Sequence, residues 1–319
     1  MAEEKITENM EYSPSSVDTD YVLPPLPEKR KRRFGDRYDG YRVRKMDLPF
    51  YIIPNIMRSR LDSQIFFEET IDITELERYV REKRATDMPD LRLMHVVLAA
   101  VIRMFALRPR LNRFVAGKKI YAHNNIRASM TVKRTLTDDG EETEILPVFS
   151  PYDTLRDVMT RFNNEWREAV AEETKENNIT DKVIRAVGFV PTWLKSFVVF
   201  SVRNLDKVGL MPKVIYKASP FHSSFYITDV GSLGIDSIYH HLYEFGTTSC
   251  FVAMGKKKTE QFFDKDGKLC RRKVITFRFV LDERICDGHY YASSIKQFRW
   301  FMKHPERLEL PPENLPDEI

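Results

Sequence analysis

Glu283 and Asp287 bracket a short polar turn, Asp282-Glu283-Arg284-Ile285-Cys286-Asp287-Gly288, directly after a run that alternates like a strand. Phe277, Phe279 and Leu281 fall on one face of that strand and Glu283 continues their parity, while Arg278, Asp282 and Arg284 fall on the other. A carboxylate on an apolar face is partly desolvated, and desolvation makes a carboxylate a better base. Glu283 is therefore a candidate proton acceptor. The competing reading is an ion pair with Arg284 or a neighbouring arginine, which leaves it chemically idle. Other bases are available in His240, His241 and His289, although a lone histidine is more often a surface or core residue. Thr228 ends the predicted strand 224–228 and offers a hydroxyl donor, or is simply a β-branched strand residue. No His/Cys/Asp group has the spacing of metal ligands. Gly231 and Gly234 are too few for a phosphate-cradling loop.

The elements that must position these residues follow from periodicity. Residues 66–73 alternate as a strand and run into Thr74 and Glu77, the spacing of a capping box. Residues 91–107 carry Val96, Val97, Ala100, Val101, Met104 and Leu107 at helical spacing, stopped by Pro109. Strands are predicted at 119–121, 127–134, 224–228, 249–255 and 272–281, with a turn at Asp138-Asp139-Gly140. Asp153 is the expected cap of a helix that presents Leu155, Val158, Met159, Phe162 and Trp166 on one face. A polar connection is predicted at 171–181. A last helix begins near His289 with Tyr291, Ile295, Phe298 and Met302 in register. Strands alternating with helices over 319 residues describe one α/β unit with ample core, spanning residues 46–310.

The first 45 residues differ in composition. Pro24, Pro25 and Pro27 precede the basic run Lys29-Arg30-Lys31-Arg32-Arg33, and aliphatic residues are sparse, so a flexible basic arm is expected. That run reads as a solvated tail rather than a contact with nucleic acid or acidic lipid. Residues 311–319 form an expected C-terminal tail after Pro305, Pro311 and Pro312. With 51 basic and 47 acidic residues, the net charge of +4 gives no global field for nucleic acid. Three cysteines without a C-x-x-C pair, and an acidic start at Ala2-Glu3-Glu4 in place of a secretory leader, point to a reducing cytoplasm. The apolar run 186–202 is broken by Pro191 and Lys195 and is shorter than the ~20 residues of a bilayer span. It reads as a buried or interface element rather than a membrane contact.

Four segments, in order, resemble the catalytic domain of the chloramphenicol acetyltransferase and dihydrolipoamide acyltransferase family. Leu107-Arg108-Pro109-Arg110-Leu111-Asn112 is similar to that family's His-Pro-Glu-x-Asn helix end. Ser224-Phe225-Tyr226-Ile227-Thr228-Asp229-Val230-Gly231 is similar to Thr-Phe-Thr-Ile-Ser-Asn-Leu-Gly. Phe251-Val252-Ala253-Met254-Gly255-Lys256 resembles the Met-Gly-Lys strand, and residues 282–288 resemble Asp-His-Arg-x-x-Asp-Gly.

The resemblance implies a two-layer α/β sandwich with a mixed sheet flanked by helices, assembled as a homotrimer with sites between subunits. It implies a coenzyme A-dependent acyltransferase taking acyl-CoA and a small thiol or hydroxyl acceptor. Thr228 falls on the family's oxyanion-binding serine, Asp287 on an aspartate that holds an arginine, and Glu283 on the histidine base. An unperturbed glutamate at ~4.3 is less basic than a histidine at ~6.5, a deficit of roughly 3 kcal/mol in driving force that desolvation can close. The alternative is an inactive relative serving as a trimeric binding or scaffolding protein. Residues 1–45 are too short for a lipoyl domain, so no lipoyl group is expected on this chain.

Overall fold

The structure is a computed structural model of the chain, and it describes residues 21–28, 30–133, 142–171 and 191–316. The chain runs through β1 (Gly40–Arg42), α1 (Pro49–Ile56), β2 (Gln64–Asp72), α2 (Thr74–Thr86) and α3 (Leu93–Leu107). It continues through β3 (Arg113–Ala116), β4 (Lys119–His123), β5 (Ile126–Lys133), β6 (Glu142–Ile145), β7 (Val148–Phe149) and α4 (Leu155–Ala171). Then come α5 (Thr192–Lys207), α6 (Lys213–Ala218), β8 (Phe225–Asp229), β9 (Cys250–Met254), β10 (Lys258–Phe263), β11 (Leu269–Asp282) and α7 (Gly288–Lys303).

The larger sheet has the order β10-β11-β9-β8-β5-β6, with β2 also pairing β11 and β7 pairing β5. It is mixed: β5, β8 and β9 are parallel, and the other pairs are antiparallel. β11 is the organising strand. It pairs antiparallel with β9 over Phe277–Leu281 and with β2 over Val274–Asp282, so its far half is a central strand. That position explains its run of β-branched and aromatic residues, buried on both faces. Phe277, Phe279 and Leu281 join the main core with α3, α4 and α7, whereas Val280 packs with Tyr226, Leu242 and Phe251 on the opposite face. The expected mixed sheet flanked by helices is present.

The sequence shows helical spacing in α3, but burial there goes all the way round, from Val96 to Phe105. The helix is enclosed by the sheet and its neighbouring helices, so its polar residues must find internal partners. Arg103 does so by donating to the carbonyls of Asp153, at 3.2 Å, and Leu310, at 2.7 Å, and burial pushes its guanidinium down to about 10. This bond and the packing of Leu315 on the core carry the ordered chain past Pro312, beyond the boundary expected for the tail.

Two caps differ from expectation. At α2 the Thr74 hydroxyl accepts from Lys273 N, and Glu77 pairs with Lys257 and Lys273, so no capping box closes. At α4 the cap is Thr154: its hydroxyl accepts from Asp157 N, and Asp157 accepts from Thr154 N. Asp153 instead accepts from Ser150 N and Arg161 Nε. The predicted turn at Asp138-Asp139-Gly140 and the connection after Ala171 lie outside the described residues.

A second, three-stranded antiparallel sheet has the order β1-β4-β3. It draws residues 37–43 into the fold, a correction to the arm boundary at 45. Arg37 binds both oxygens of Asp39 at 2.8 Å and the Asp206 carboxylate at 2.7 Å, all of them buried. His222 Nε2 lies 3.3 Å from the other Asp206 oxygen, and its Nδ1 contacts Ser219 Oγ at 2.7 Å. Burial works against the Asp206 carboxylate, but His222 and Arg37 together hold it down to about 2. Val43 packs with Phe50, Ile120 and Ala122, but the segment's other anchors are buried ions, which is why composition placed it outside the fold.

Arg37→Ala leaves two buried carboxylates without their shared cation. It should cost about 3–5 kcal/mol, read as a lowered denaturant midpoint. An unchanged midpoint would mean that the segment before Gly40 is not part of the cooperative unit.

Candidate functional site

The turn after β11 is built on Asp282, which is fully buried. Its carboxylate accepts from Ser63 Oγ at 2.9 Å, and from Arg284 through N at 3.1 Å, Nε at 2.9 Å and Nη2 at 2.8 Å. Arg60 Nε stands 3.6 Å from the second oxygen. Arg60 also donates to the carbonyls of Tyr243, at 2.6 Å, and Gly246, at 3.1 Å, so the loop before β9 is tied to the same point. Tyr291 of α7 donates to the Asp282 carbonyl at 2.6 Å. Burial opposes the charge on Arg284, yet the bidentate bond to Asp282 outweighs it and raises its pKa.

Glu283 is the next residue. Its N–H donates to the Ser63 carbonyl at 2.8 Å, and its side chain is half-buried just beyond the end of β11. The reading that paired it with Arg284 is corrected, because Arg284 turns back to Asp282. Among the described residues the Glu283 carboxylate makes no ion pair.

Asp287 is exposed and caps α7, accepting from Tyr290 N at 2.9 Å. The arginine-holding part that the resemblance implied for Asp287 is played in this turn by Asp282. Arg108 lies over the Tyr290 ring at 4.1 Å, and Arg110 N donates to the Tyr290 hydroxyl at 3.2 Å. The first family-like segment therefore meets the helix that follows the fourth.

Thr228 sits near the end of β8, in register with Ala253 of β9, and is half-buried. The following turn packs backbone against backbone: a Cβ on Gly231 would come within 2.5 Å of the Gly255 carbonyl, so only glycine fits. This contact joins the second and third segments.

Within one chain Glu283 and Thr228 do not meet. Asp282 N bonds Ser249 O, level with the start of β9, while Thr228 is level with Ala253. Four residues of strand separate those levels by about 13 Å, and two strand spacings add to it. His240 stacks on Phe251 at 4.2 Å, faces the His241 carbonyl, and burial lowers its pKa. His241 lies beside it, and His289 is exposed in the first turn of α7.

Asp229 belongs to the second family-like segment, and nothing in its spacing announces its burial. Its carboxylate accepts from Ser232 N at 3.2 Å, and burial pushes it up to about 6 against that bond and one from Gly231 N. Next to Thr228, it is a carboxyl that stays protonated to higher pH than an exposed aspartate but is mostly ionised at physiological pH. The cysteines are all free. Cys250 and Cys286 are buried, and burial raises both thiols, Cys286 to about 12. Neither is available as a thiolate nucleophile. Among the described residues no group of three or more His, Cys, Asp or Glu side chains is placed to hold a metal ion.

Residues 220–310 match the family model described as 2-oxoacid dehydrogenases acyltransferase (catalytic domain). The matched range takes in the second, third and fourth of the family-like segments, and the family resemblance is borne out. A probable dihydrolipoamide acetyltransferase from Listeria monocytogenes superposes with a TM-score of 0.52 at 13% identity, over 80% of this chain and 88% of that one. The cubic core of the pyruvate dehydrogenase multienzyme complex gives 0.51 at 16%, over 90% of this chain and 100% of that one. A truncated catalytic core of the 2-oxoacid dehydrogenase complex from Thermoplasma acidophilum gives 0.50 at 15%, over 82% and 97%. At these identities the superpositions establish the acyltransferase fold. A search of curated protein sequences found no match.

The raised Asp229 carboxyl has a defined sign. With a folded pKa of about 6 against an ordinary 3.8, the group is neutral in both states at low pH and contributes nothing there. As pH climbs from about 4 to 6 only the unfolded state ionises freely, so stability falls and stays lowered above that window. Asp229→Asn keeps the acceptor for Ser232 N and should raise Tm at about pH 7.5 with little gain at about pH 4. Equal effects at both values would remove burial of the charge as the cause.

Proposed function

We propose that the chain is a coenzyme A-dependent acyltransferase of the 2-oxoacid dehydrogenase type, working as a homotrimer with Glu283 in the place of the base. The observation that carries this reading is the uncommitted Glu283 carboxylate: Asp282 takes both Arg60 and Arg284, leaving Glu283 free of arginine among the described residues. Because Glu283 and Thr228 lie apart in one chain, a working site needs Glu283 of one copy beside Thr228 of the next. The cytoplasm, where acyl-CoA and reduced thiols coexist, suits the free cysteines.

In this reading Glu283 accepts the proton of an acceptor thiol or hydroxyl as its sulfur or oxygen attacks the thioester carbonyl. The Thr228 hydroxyl donates to the tetrahedral oxyanion. Collapse breaks the carbon–sulfur bond, and the departing coenzyme A thiolate takes the proton back from Glu283. The acyl group ends on the acceptor, and no redox step or metal is required.

Turnover of acetyl-CoA with dihydrolipoamide and small hydroxyl acceptors tests the assignment. Glu283→Gln should lose about 10²–10⁴-fold in kcat, while Glu283→His should keep or raise it. Mixing Glu283→Gln subunits with Thr228→Val subunits should restore part of the rate, because mixed trimers regain intact sites. Equal wild-type and Gln rates would eliminate Glu283 as the base. Silence of all three proteins with coenzyme A still bound would make the chain a binding or scaffolding member.

A further inference from the structure

α5 is a sixteen-residue helix whose only buried residue is Asp206. The part of the apolar run that α5 carries, read in sequence as a buried or interface element, is therefore uncovered among the described residues. Trp193, Phe197 and Phe200 recur at i, i+4 and i+7, the spacing of one helix face, and are 72%, 62% and 65% exposed. The exposed surface continues through Val208, Leu210 and Val214 into α6.

Charge on this surface has one sign. Between 191 and 219 the basic residues are Lys195, Arg203, Lys207, Lys213 and Lys217, and all but the half-buried Lys195 are exposed. The one acid there, Asp206, is buried against Arg37 and His222 and adds nothing outward. Arg37 also brings the N-terminal basic run close. Arg30, Lys31, Arg32 and Arg33 are exposed, Phe34 is fully so, and Arg37, three residues on, holds the last turn of α5.

We propose that α5, α6 and residues 30–34 form a docking surface for an anionic lipid bilayer, with α5 lying in the plane of the interface. An exposed aromatic row flanked by lysine and arginine is the composition that enters the headgroup boundary, where aromatic burial and attraction to acidic lipid add. At 1.5 Å per residue α5 is about 24 Å long. No helix among the described residues is long and apolar enough to cross a membrane, so the contact is peripheral. A two-fold self-contact through this face would set the same positive residues against one another with no exposed acid between 191 and 219 to answer them. A three-fold contact would set the face against a different surface of the next copy, and the oligomeric mass in the test below separates it from the bilayer.

The full chain, mixed with phosphatidylcholine vesicles with or without about 30% phosphatidylserine, gives the test by co-sedimentation. Binding should require the acidic lipid and weaken steeply with salt. Phe197→Glu/Phe200→Glu and Arg203→Gln/Lys207→Gln should each lower it by about tenfold or more, with unchanged circular dichroism because these side chains are exposed. The vesicle-induced blue shift of tryptophan emission should vanish in Trp193→Phe. Two results would overturn the proposal: equal binding to neutral vesicles without salt dependence, or no binding to either. If, in the second case, Phe197→Glu/Phe200→Glu lowers the oligomeric mass, the face belongs to another copy of the chain.

Discussion

The buried carboxylate of Asp282, shared by Arg60 and Arg284, is the constraint on which the candidate site depends. Taking three charges out of water is costly, and the arrangement is tolerable only while every partner is present. Ser63, Arg284 and Arg60 supply those partners from three places in the chain, and Arg60 spends its remaining donors on the 243–246 loop. Losing the Ser63 hydroxyl or either arginine leaves the buried Asp282 carboxylate short of a hydrogen-bond or charge partner. The exit of the chain from β11, the entry into α7 and the loop before β9 therefore form or fail together.

This arrangement also decides what Glu283 is free to do. Its neighbours on both sides are consumed by each other, and its own backbone is held by Ser63. Among the described residues its carboxylate makes no ion pair, which is what the proposed role as base requires. The same economy appears at the other end of the sheet, where the glycine contact between residues 231 and 255 sets the turn after Thr228.

Much of the fold was legible because its signals are periodic. Alternation in β11 placed Phe277, Phe279 and Leu281 on one face, and all three join the main core, while the spacing in α7 picked out residues that are buried. The same alternation placed Asp282 and Arg284 on one face, which was the clue to their pairing; reading Arg284 as the partner of Glu283 ignored it. Pairings across long stretches of sequence carried no such signal. Arg37 with Asp206, Thr74 with Lys273 and Arg103 with Leu310 are contacts that no local spacing announces. The distance between Glu283 and Thr228 was likewise invisible, since strand order and register set it. The family-like segments are brought together in pairs: the first reaches the Tyr290 side chain just after the fourth, and the second packs its backbone against the third at Gly231.

The burial of two of the three sulfur atoms has a practical consequence. Cys250 and Cys286 are shielded and protonated, whereas Cys270 lies half-exposed where β11 begins, within 3.5 Å of Asp264. An alkylating reagent should therefore label one site per folded chain and reach the others only when the sheet parts from its helices. Labelling stoichiometry thus becomes an internal gauge of core opening, independent of any assay for acyl transfer. Because Cys286 belongs to the Glu283–Asp287 turn itself, its protection against the reagent follows the integrity of that turn and not merely of the molecule as a whole.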